Sequence, residues 1–460
     1  MERRGRRGAG QMKRLVWRAI WIKIIVIAGL LAGCASLPKQ PPPRMESTAF
    51  DDISDTSLAR AIMPRLAAHP GQDGFVLLPD GLDAFVARAI LARHAERSID
   101  VQYYLYHHDT VGALFTSLLL EAAERGVRVR ILVDDMDMGG RDEPVMALDT
   151  HPNIEIRFFN PFSRRGWRGL QFLTGFGTLT RRMHNKSFIV DNTVAILGGR
   201  NIGDEYFAAD PALSFADLDV LAVGAVVPEV SRAFDLYWNS AQAWAARDVI
   251  SVRPTEQRRQ ELSEMLAQRT GSEKAARYLD ALESSELARA LREHRVPFYW
   301  GKATLVVDDP AKISHKRDAR ELHLIGSLAS YFEDIKDELI VISPYFVPGK
   351  EGVEFFSRLA ARGVRARILT NSLASNDVGV VHAGYMRYRR ELLRAGVELY
   401  ELNKALSREE RKEVKGLGGS SKASLHAKTF VIDRRRTFIG SLNLDPRSLY
   451  ENTEIGLVID

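Results

Sequence analysis

Apolar positions recur along most of the chain either at helical spacing or in short unbroken runs, and the two patterns alternate. Leu82 to Arg97 has the spacing of an amphipathic helix, Ile99 to Leu105 reads as a strand, Val111 to Arg125 as a second helix and Val127 to Val133 as a second strand. Strand, helix, strand in that order predicts an α/β fold, a mixed and largely parallel sheet flanked by helices. The pattern then repeats. Arg125-Gly126-Val127-Arg128-Val129-Arg130-Ile131-Leu132 returns 237 positions later as Arg362-Gly363-Val364-Arg365-Ala366-Arg367-Ile368-Leu369, and Ile154-Glu155-Ile156 returns 243 positions later as Val397-Glu398-Leu399. The body is therefore read as two fused copies of one unit, over 61–250 and 298–460. Between them, 251–297 is charged, with helical periodicity at Gln257 to Leu266 and Ala275 to Arg295, and is expected to be a helical linker or insertion.

The amino terminus breaks this pattern. Eight Lys or Arg residues precede or interrupt an apolar run ending Leu31-Ala32-Gly33, followed by Cys34, the chain's one cysteine. A charged segment, a short apolar stretch and small residues before a cysteine resemble a bacterial lipoprotein signal, 1–33, with cleavage before Cys34 and acylation there. The alternative is an uncleaved anchor; Lys23 interrupts the run, whereas a spanning helix needs about 20 apolar residues. Pro38, Pro41, Pro42 and Pro43 then suit an extended tether over 34–60. The expected location is the bacterial cell envelope, lipid-anchored on the periplasmic face, with inner and outer membrane both open. A single cysteine leaves no intramolecular disulfide.

Composition changes the picture mainly through charge. At 460 residues and 45% apolar content the chain can bury a sizeable core, and its formal charge is +5. Residues 1–33 hold those eight basic residues against one acid, a net of +7, so subtracting them from +5 leaves about −2. That is not the basic surface of a nucleic-acid binder.

The candidate chemistry lies at the end of each copy. His184-Asn185-Lys186, four residues and Asp191 return as His426-Ala427-Lys428, four residues and Asp433, an offset of 242. Gly198, Gly199 and Asn201 follow the first, Gly440, Ser441 and Asn443 the second. In an extended segment a His and a Lys two apart project from one face and can converge on one phosphate. Asp191 and Asp433, at strand ends, are expected to support the hairpins, and the glycines to let backbone approach a ligand.

These paired motifs resemble the signature of the phospholipase D superfamily, over about residue 75 to the end. The resemblance implies that the two copies face each other as an internal pseudo-dimer in a monomer, sharing one active site at the pseudo-two-fold interface. It implies one histidine as nucleophile, forming a phosphohistidine, and the other as acid and then base, with His184 the nucleophile by family precedent. Lys186, Lys428, Asn201 and Asn443 would stabilise the phosphoryl oxygens, with no metal and no cofactor. A downstream acid orients each histidine; Glu454 fits this role, and Asp219 is expected to be its first-copy counterpart.

His184 through Phe207, with Thr370-Asn371-Ser372-Leu373-Ala374 and Val381-His382-Ala383-Gly384-Tyr385, look like the cardiolipin synthase C branch. That branch implies phosphatidyl transfer from one phospholipid to another, with phosphatidylglycerol and phosphatidylethanolamine as substrates. Trp167 to Leu173 and Phe176, beside Arg164, Arg165 and Arg168, are expected to meet a membrane surface. Branch members continue for some tens of residues beyond Ile455 to Asp460, so the second copy reads as shortened. Hydrolysis to phosphatidic acid, a secreted nuclease and a non-catalytic repeat protein are the competing readings.

Overall fold

The computed structural model describes residues 17, 37–38, 40–164, 168, 171, 177–210, 214–253, 255–293, 295–376, 379–402 and 424–460. Apart from Trp17, the expected signal segment, with Cys34, Arg165 and the apolar residues of 167–176, lies outside the described residues.

Two sheets carry the fold. Within the first, the spatial order is Asp73–Leu78, Asp219–Val223, Val194–Gly198, Ser187–Val190, Ser98–Tyr103, Arg128–Asp134 and Ile154–Phe159. The second runs Ala303–Val307, Ile455–Ile459, Arg436–Gly440, Thr429–Ile432, Glu338–Ile342, Arg365–Asn371 and Glu398–Leu402. These are the same strands in the same order, so the repeat seen in sequence is a repeat in space. Within these two sheets, parallel pairing is confined to the three strands of each copy that helices connect. The hairpins carrying the motifs pair antiparallel, because a tight turn cannot make the crossover a parallel pair needs.

The first sheet gains an edge strand at each side, Ala243–Ala245 and Tyr299–Gly301. The latter pairs with Asp73 to Phe75, although it lies within the stretch assigned from sequence to the second copy. The insertion forms three helices, Glu256–Thr270, Glu273–Glu283 and Glu286–Arg292. Thr255, Ser272 and Ser285 cap them, each side chain accepting an N–H of the first turn, and the cap at Ser285 splits the predicted helix over 275–295. All three pack on the outer helices of the first copy, Gly81–His94, Thr110–Glu124 and Asp142–Asp149.

A hydrophobic core joins the two copies. Ile189, Leu197 and Val220 from the first sheet meet Ile439, Ile455 and Leu457 from the second, all at most 1% exposed, with Val230, Phe234 and Trp238 of helix Val226–Asn239. Each of these side chains contributes about 2 kcal/mol of gross hydrophobic stabilisation on burial, so the seam is core rather than a contact between separate domains. The copies are one folding unit along it.

Asp191 and Asp433 do the same structural job in each copy. Both sit at positive φ, 50° and 51°, in the hairpin turn. Asp191 accepts the backbone N–H groups of Glu96, Arg97 and Ser98, and Asp433 those of Lys336, Asp337 and Glu338, at 2.7–3.3 Å. Each turn is thereby tied to the start of the neighbouring strand. Removing the acceptor leaves three donors in search of partners, so Asp191→Ala and Asp433→Ala are each expected to cost about 1–3 kcal/mol. A lowered melting temperature with unchanged turnover per folded molecule is the expected result; lost turnover at full stability would place the aspartates in the chemistry.

Candidate active site

The two histidine motifs meet at the seam, and each is built on the other copy's backbone. The His184 N–H donates to the Thr453 carbonyl at 2.9 Å, and the His426 N–H to the Ala216 carbonyl at 2.8 Å. Around these bonds run a parallel bridge, Met183 to Thr453, and a short parallel pair, Phe215–Ala216 with Ser424–Leu425. Thr453 also donates its hydroxyl to Asn185 Oδ1 at 2.8 Å. Ahead of His184, Arg182 and Asp134 form a fully buried ion pair, and Asp134 Oδ2 accepts the Met183 N–H at 2.9 Å. The histidines and lysines precede strands Ser187–Val190 and Thr429–Ile432 rather than lying within them. Lys186 donates to the carbonyl of His184, Lys428 to that of His426.

Each imidazole is backed by a carboxylate from the opposite copy. His184 Nδ1 lies 2.8 Å from Glu454 Oε2, and His426 Nδ1 lies 2.6 Å from Asp217 Oδ2. The first-copy acid is thus Asp217, which corrects the expectation of Asp219. Asp219 instead pairs with Arg88 at 2.8 Å and with Arg200 at 3.5 Å. The spacing misleads because 16 residues separate Asn201 from Asp217 but 11 separate Asn443 from Glu454. A usable signal was the apolar run after the acid: Glu454-Ile455-Gly456-Leu457-Val458 aligns with Asp217-Leu218-Asp219-Val220-Leu221. Register agrees, since Gly198 pairs with Asp219 where Gly440 pairs with Gly456.

The glycines serve these acids. A Cβ on Gly199 would lie 2.1 Å from Asp217 Oδ1, so a side chain there would displace the carboxylate that holds His426. The counterpart Ser441 fits, and donates its hydroxyl to Glu454 Oε2. Of the two asparagines, Asn201 is already engaged: its Oδ1 accepts the Leu105 N–H, and its Nδ2 donates to Tyr206 Oη at 2.9 Å. Asn443 is buried with no partner for Oδ1. Aromatic rings wall both histidines, Tyr104 at 5.1 Å from His184, and Tyr206 and Phe215 at 5.2 and 5.3 Å from His426.

Electrostatics separates the two halves. Burial, reinforced by Lys186 and Lys428, pushes His184 well below the ordinary imidazole range, and burial with Lys428 lowers His426 as well. Burial also raises the acids, but for Asp217 the positive charge of His426 and Lys428 overrides it and holds the carboxyl low. Glu454 is pushed up to about 7 by burial, against the pull of Lys186. A carboxyl raised on folding supports the fold fully below its unfolded value of 4.5 and loses that support as pH rises through about 7. Glu454→Gln stays neutral throughout. Relative to the parent it is expected to gain up to about 3 kcal/mol between pH 5 and 8, read by calorimetry; a pH-independent difference would mean Glu454 is ionised across the range.

One other sequence expectation meets a different structure. Arg164 and Arg168 are both ion-paired to the fully buried Asp135, at 2.6 and 2.9 Å, and so are not free to meet lipid head groups. Among the described residues, His107, Asp109 and Glu205 form a group that could hold an ion, with His107 Nδ1 already 3.1 Å from Glu205 Oε1. No described helix is long and apolar enough to cross a membrane.

With this geometry in place, similarity to known proteins is specific. The family described as cardiolipin synthase, PLD-like domain, matches residues 90–221 and 328–460. The chain belongs to this phospholipase D-like family. It is 47% identical over 403 residues to cardiolipin synthase C of Escherichia coli, covering 88% of this chain and 85% of that one. Cardiolipin synthase A of Pseudomonas syringae is 27% identical, over 90% of this chain and 71% of its own length. The fold is also that of phosphatidylserine synthase from Haemophilus influenzae, with a TM-score of 0.55 at 15% identity, over 84% of this chain and 82% of that one. The chain is accordingly a phospholipase D-superfamily phosphatidyltransferase.

Proposed function

We propose that the protein makes cardiolipin, moving a phosphatidyl group from phosphatidylglycerol or phosphatidylethanolamine onto the head-group hydroxyl of a phosphatidylglycerol. The observation that carries this reading is the pair of buried imidazoles, each hydrogen-bonded at Nδ1 to a carboxylate of the opposite copy. In both rings Nε2 is left for chemistry. His184, kept neutral, presents a lone pair that attacks phosphorus. The bond to the leaving alkoxide breaks as His426 gives it a proton. His426 then takes the proton of the incoming hydroxyl, whose oxygen displaces His184 and completes the exchange. The ionised Asp217 suits His426 to this part, since it stabilises an imidazolium. Lys186, Lys428 and Asn443 lie beside the histidines to meet the charge on the phosphoryl oxygens.

The relatives named as cardiolipin synthases support this substrate class. The amino-terminal segment supports a lipid-anchored protein of the cell envelope, acylated at Cys34, which would hold the site at its substrate. Mass spectrometry of lipids after incubation with phosphatidylglycerol, alone and with phosphatidylethanolamine, tests the reading. Cardiolipin formation is expected; phosphatidic acid as sole product would make the protein a hydrolase.

A further inference from the structure

The second copy leaves open a face that the first copy covers. In each copy one helix makes the crossover between the second and third parallel strands, Asp142–Asp149 in the first and Gly379–Arg394 in the second. The first has 8 residues, opens on Asp142 and Glu143, and packs against the insertion helix Glu256–Thr270, whose Arg258 pairs with Glu143. The second has 16 residues; helix Gly349–Ala361 packs beside it, and its outer face is open to solvent among the described residues.

The buried side of this helix holds His382, Tyr385 and Leu392. Its open side mixes apolar and cationic positions. Val380, Met386 and Leu393 are 83%, 46% and 53% exposed, and Arg387, Arg390 and Arg394 are exposed beside them. Arg389, on the flank, pairs with Glu401 at 3.0 Å, but those three arginines have no ion-pair partner among the described residues. They are free to bind an anion in the way that Arg164 and Arg168, held by Asp135, are not.

The helix begins at the catalytic end of the second copy. A Cβ on Gly384 would lie 3.2 Å from both methyls of Val347, and the Tyr385 ring lies 6.1 Å from that of Phe346. Phe346 bridges to Leu444, the neighbour of Asn443, and the Val347 N–H donates to the Leu444 carbonyl at 2.8 Å. Asn371, at the end of the strand before the helix, accepts the Leu425 N–H and donates to its carbonyl, both at 2.9 Å, directly ahead of His426. Two residues on, Leu373 is 64% exposed. The exposed Leu373 and Val380 therefore stand at the end that carries Asn443 and His426, and at 1.5 Å per residue the arginines follow about 10–20 Å behind Val380.

We propose that this face docks the second copy on an anionic phospholipid bilayer, Leu373 and Val380 entering the acyl boundary beside the site while the three arginines meet head-group phosphates. Apolar residues leading and cations a turn or more behind fit a helix tilted into an interface. An acidic protein would match the arginines but not the leucine and valine ahead of them. The proposal rests on the phospholipid substrate named above, whose bilayer the site must reach.

The test uses the full chain with Cys34→Ser and Val380→Cys, so that an environment-sensitive fluorophore is carried at position 380 alone. Phosphatidylglycerol vesicles are expected to shift its emission to the blue, phosphatidylcholine vesicles to leave it where it was, and added salt to reverse the shift. Arg387→Gln, Arg390→Gln and Arg394→Gln together are expected to raise the vesicle concentration giving half the shift on the order of a hundredfold. Without the label, the same triple change should lower the ratio of turnover in vesicles to turnover of dispersed short-chain phosphatidylglycerol on the order of tenfold. An emission that does not move, or moves equally with both vesicles, would overturn the docking surface and leave the face to a protein partner; so would an unchanged turnover ratio. A shift confined to phosphatidylglycerol vesicles in a chain that turns over no phospholipid would uphold the surface and overturn the proposed transfer.

Discussion

His184→Ala is expected to form no phosphohistidine with any substrate and to lose transfer by on the order of 10⁴-fold or more, whereas His426→Ala forms the intermediate only from a substrate whose leaving group needs no proton, and cannot resolve it. The reasoning starts from the two Nδ1 bonds. Each commits one ring nitrogen to a carboxylate and leaves Nε2 as the reactive atom, so both rings are competent in principle. What distinguishes them is proton affinity. Burial and the two lysines hold His184 well below the ordinary imidazole range, so the ring is neutral, and with its one hydrogen on Nδ1 facing Glu454 its Nε2 keeps the lone pair a nucleophile needs. The His426 half carries an acid held low, the partner of a proton-bearing ring. Alanine at 426 removes both the proton donor for the departing alcohol and the base for the incoming one. Given phosphatidyl-p-nitrophenol, whose leaving group needs no proton, that variant should release one equivalent of nitrophenol and stop, with a phosphatidyl group on His184 detectable by mass spectrometry. A phosphatidyl group on His426 in the His184→Ala variant would reverse the assignment.

How much of this was legible in sequence follows from what repeats and what does not. The strands and the histidine, lysine and aspartate positions recur at nearly constant offset, because the hairpin Ser187–Val190 to Val194–Gly198 and its counterpart admit no insertion without losing register. That made the paired sites and the structural role of Asp191 and Asp433 readable. The segment from Asn201 to the acid is a loop, free to change length, and counting across it led to Asp219. Alternation could not separate Asp217 from Asp219, which are two apart and so on one face; their partners do, His426 across the seam for Asp217 and Arg88 within the first copy for Asp219. The glycines were read as ligand contacts, yet Gly199 is small to admit Asp217, a contact between segments whose proximity no local pattern reveals. Arg164 and Arg168 looked like head-group ligands because Asp135, which they grip, sits 29 and 33 residues earlier.

Asp217→Asn should be the most damaging change outside the two histidines, lowering transfer on the order of 10³–10⁴-fold with little change in fold. The substitution keeps the shape, and an amide oxygen can still accept the His426 Nδ1 hydrogen. It removes the charge, however, and a neutral acceptor does little for the imidazolium that must persist until the head group leaves. The amide can also turn its NH₂ toward Nδ1, fixing the tautomer that carries its hydrogen on Nε2 and so cannot act as the base for the incoming hydroxyl. Glu454→Gln faces a milder consequence, because the ring before it stays neutral and needs only an acceptor at Nδ1, which the amide oxygen supplies; a loss of about tenfold is expected there, from tautomer preference alone. Measured side by side, the two amide variants separate a site whose halves are chemically distinct from one whose halves are interchangeable. Equal losses would mean that the pseudo-two-fold symmetry of the backbone extends to the protons, and that either histidine can begin the reaction.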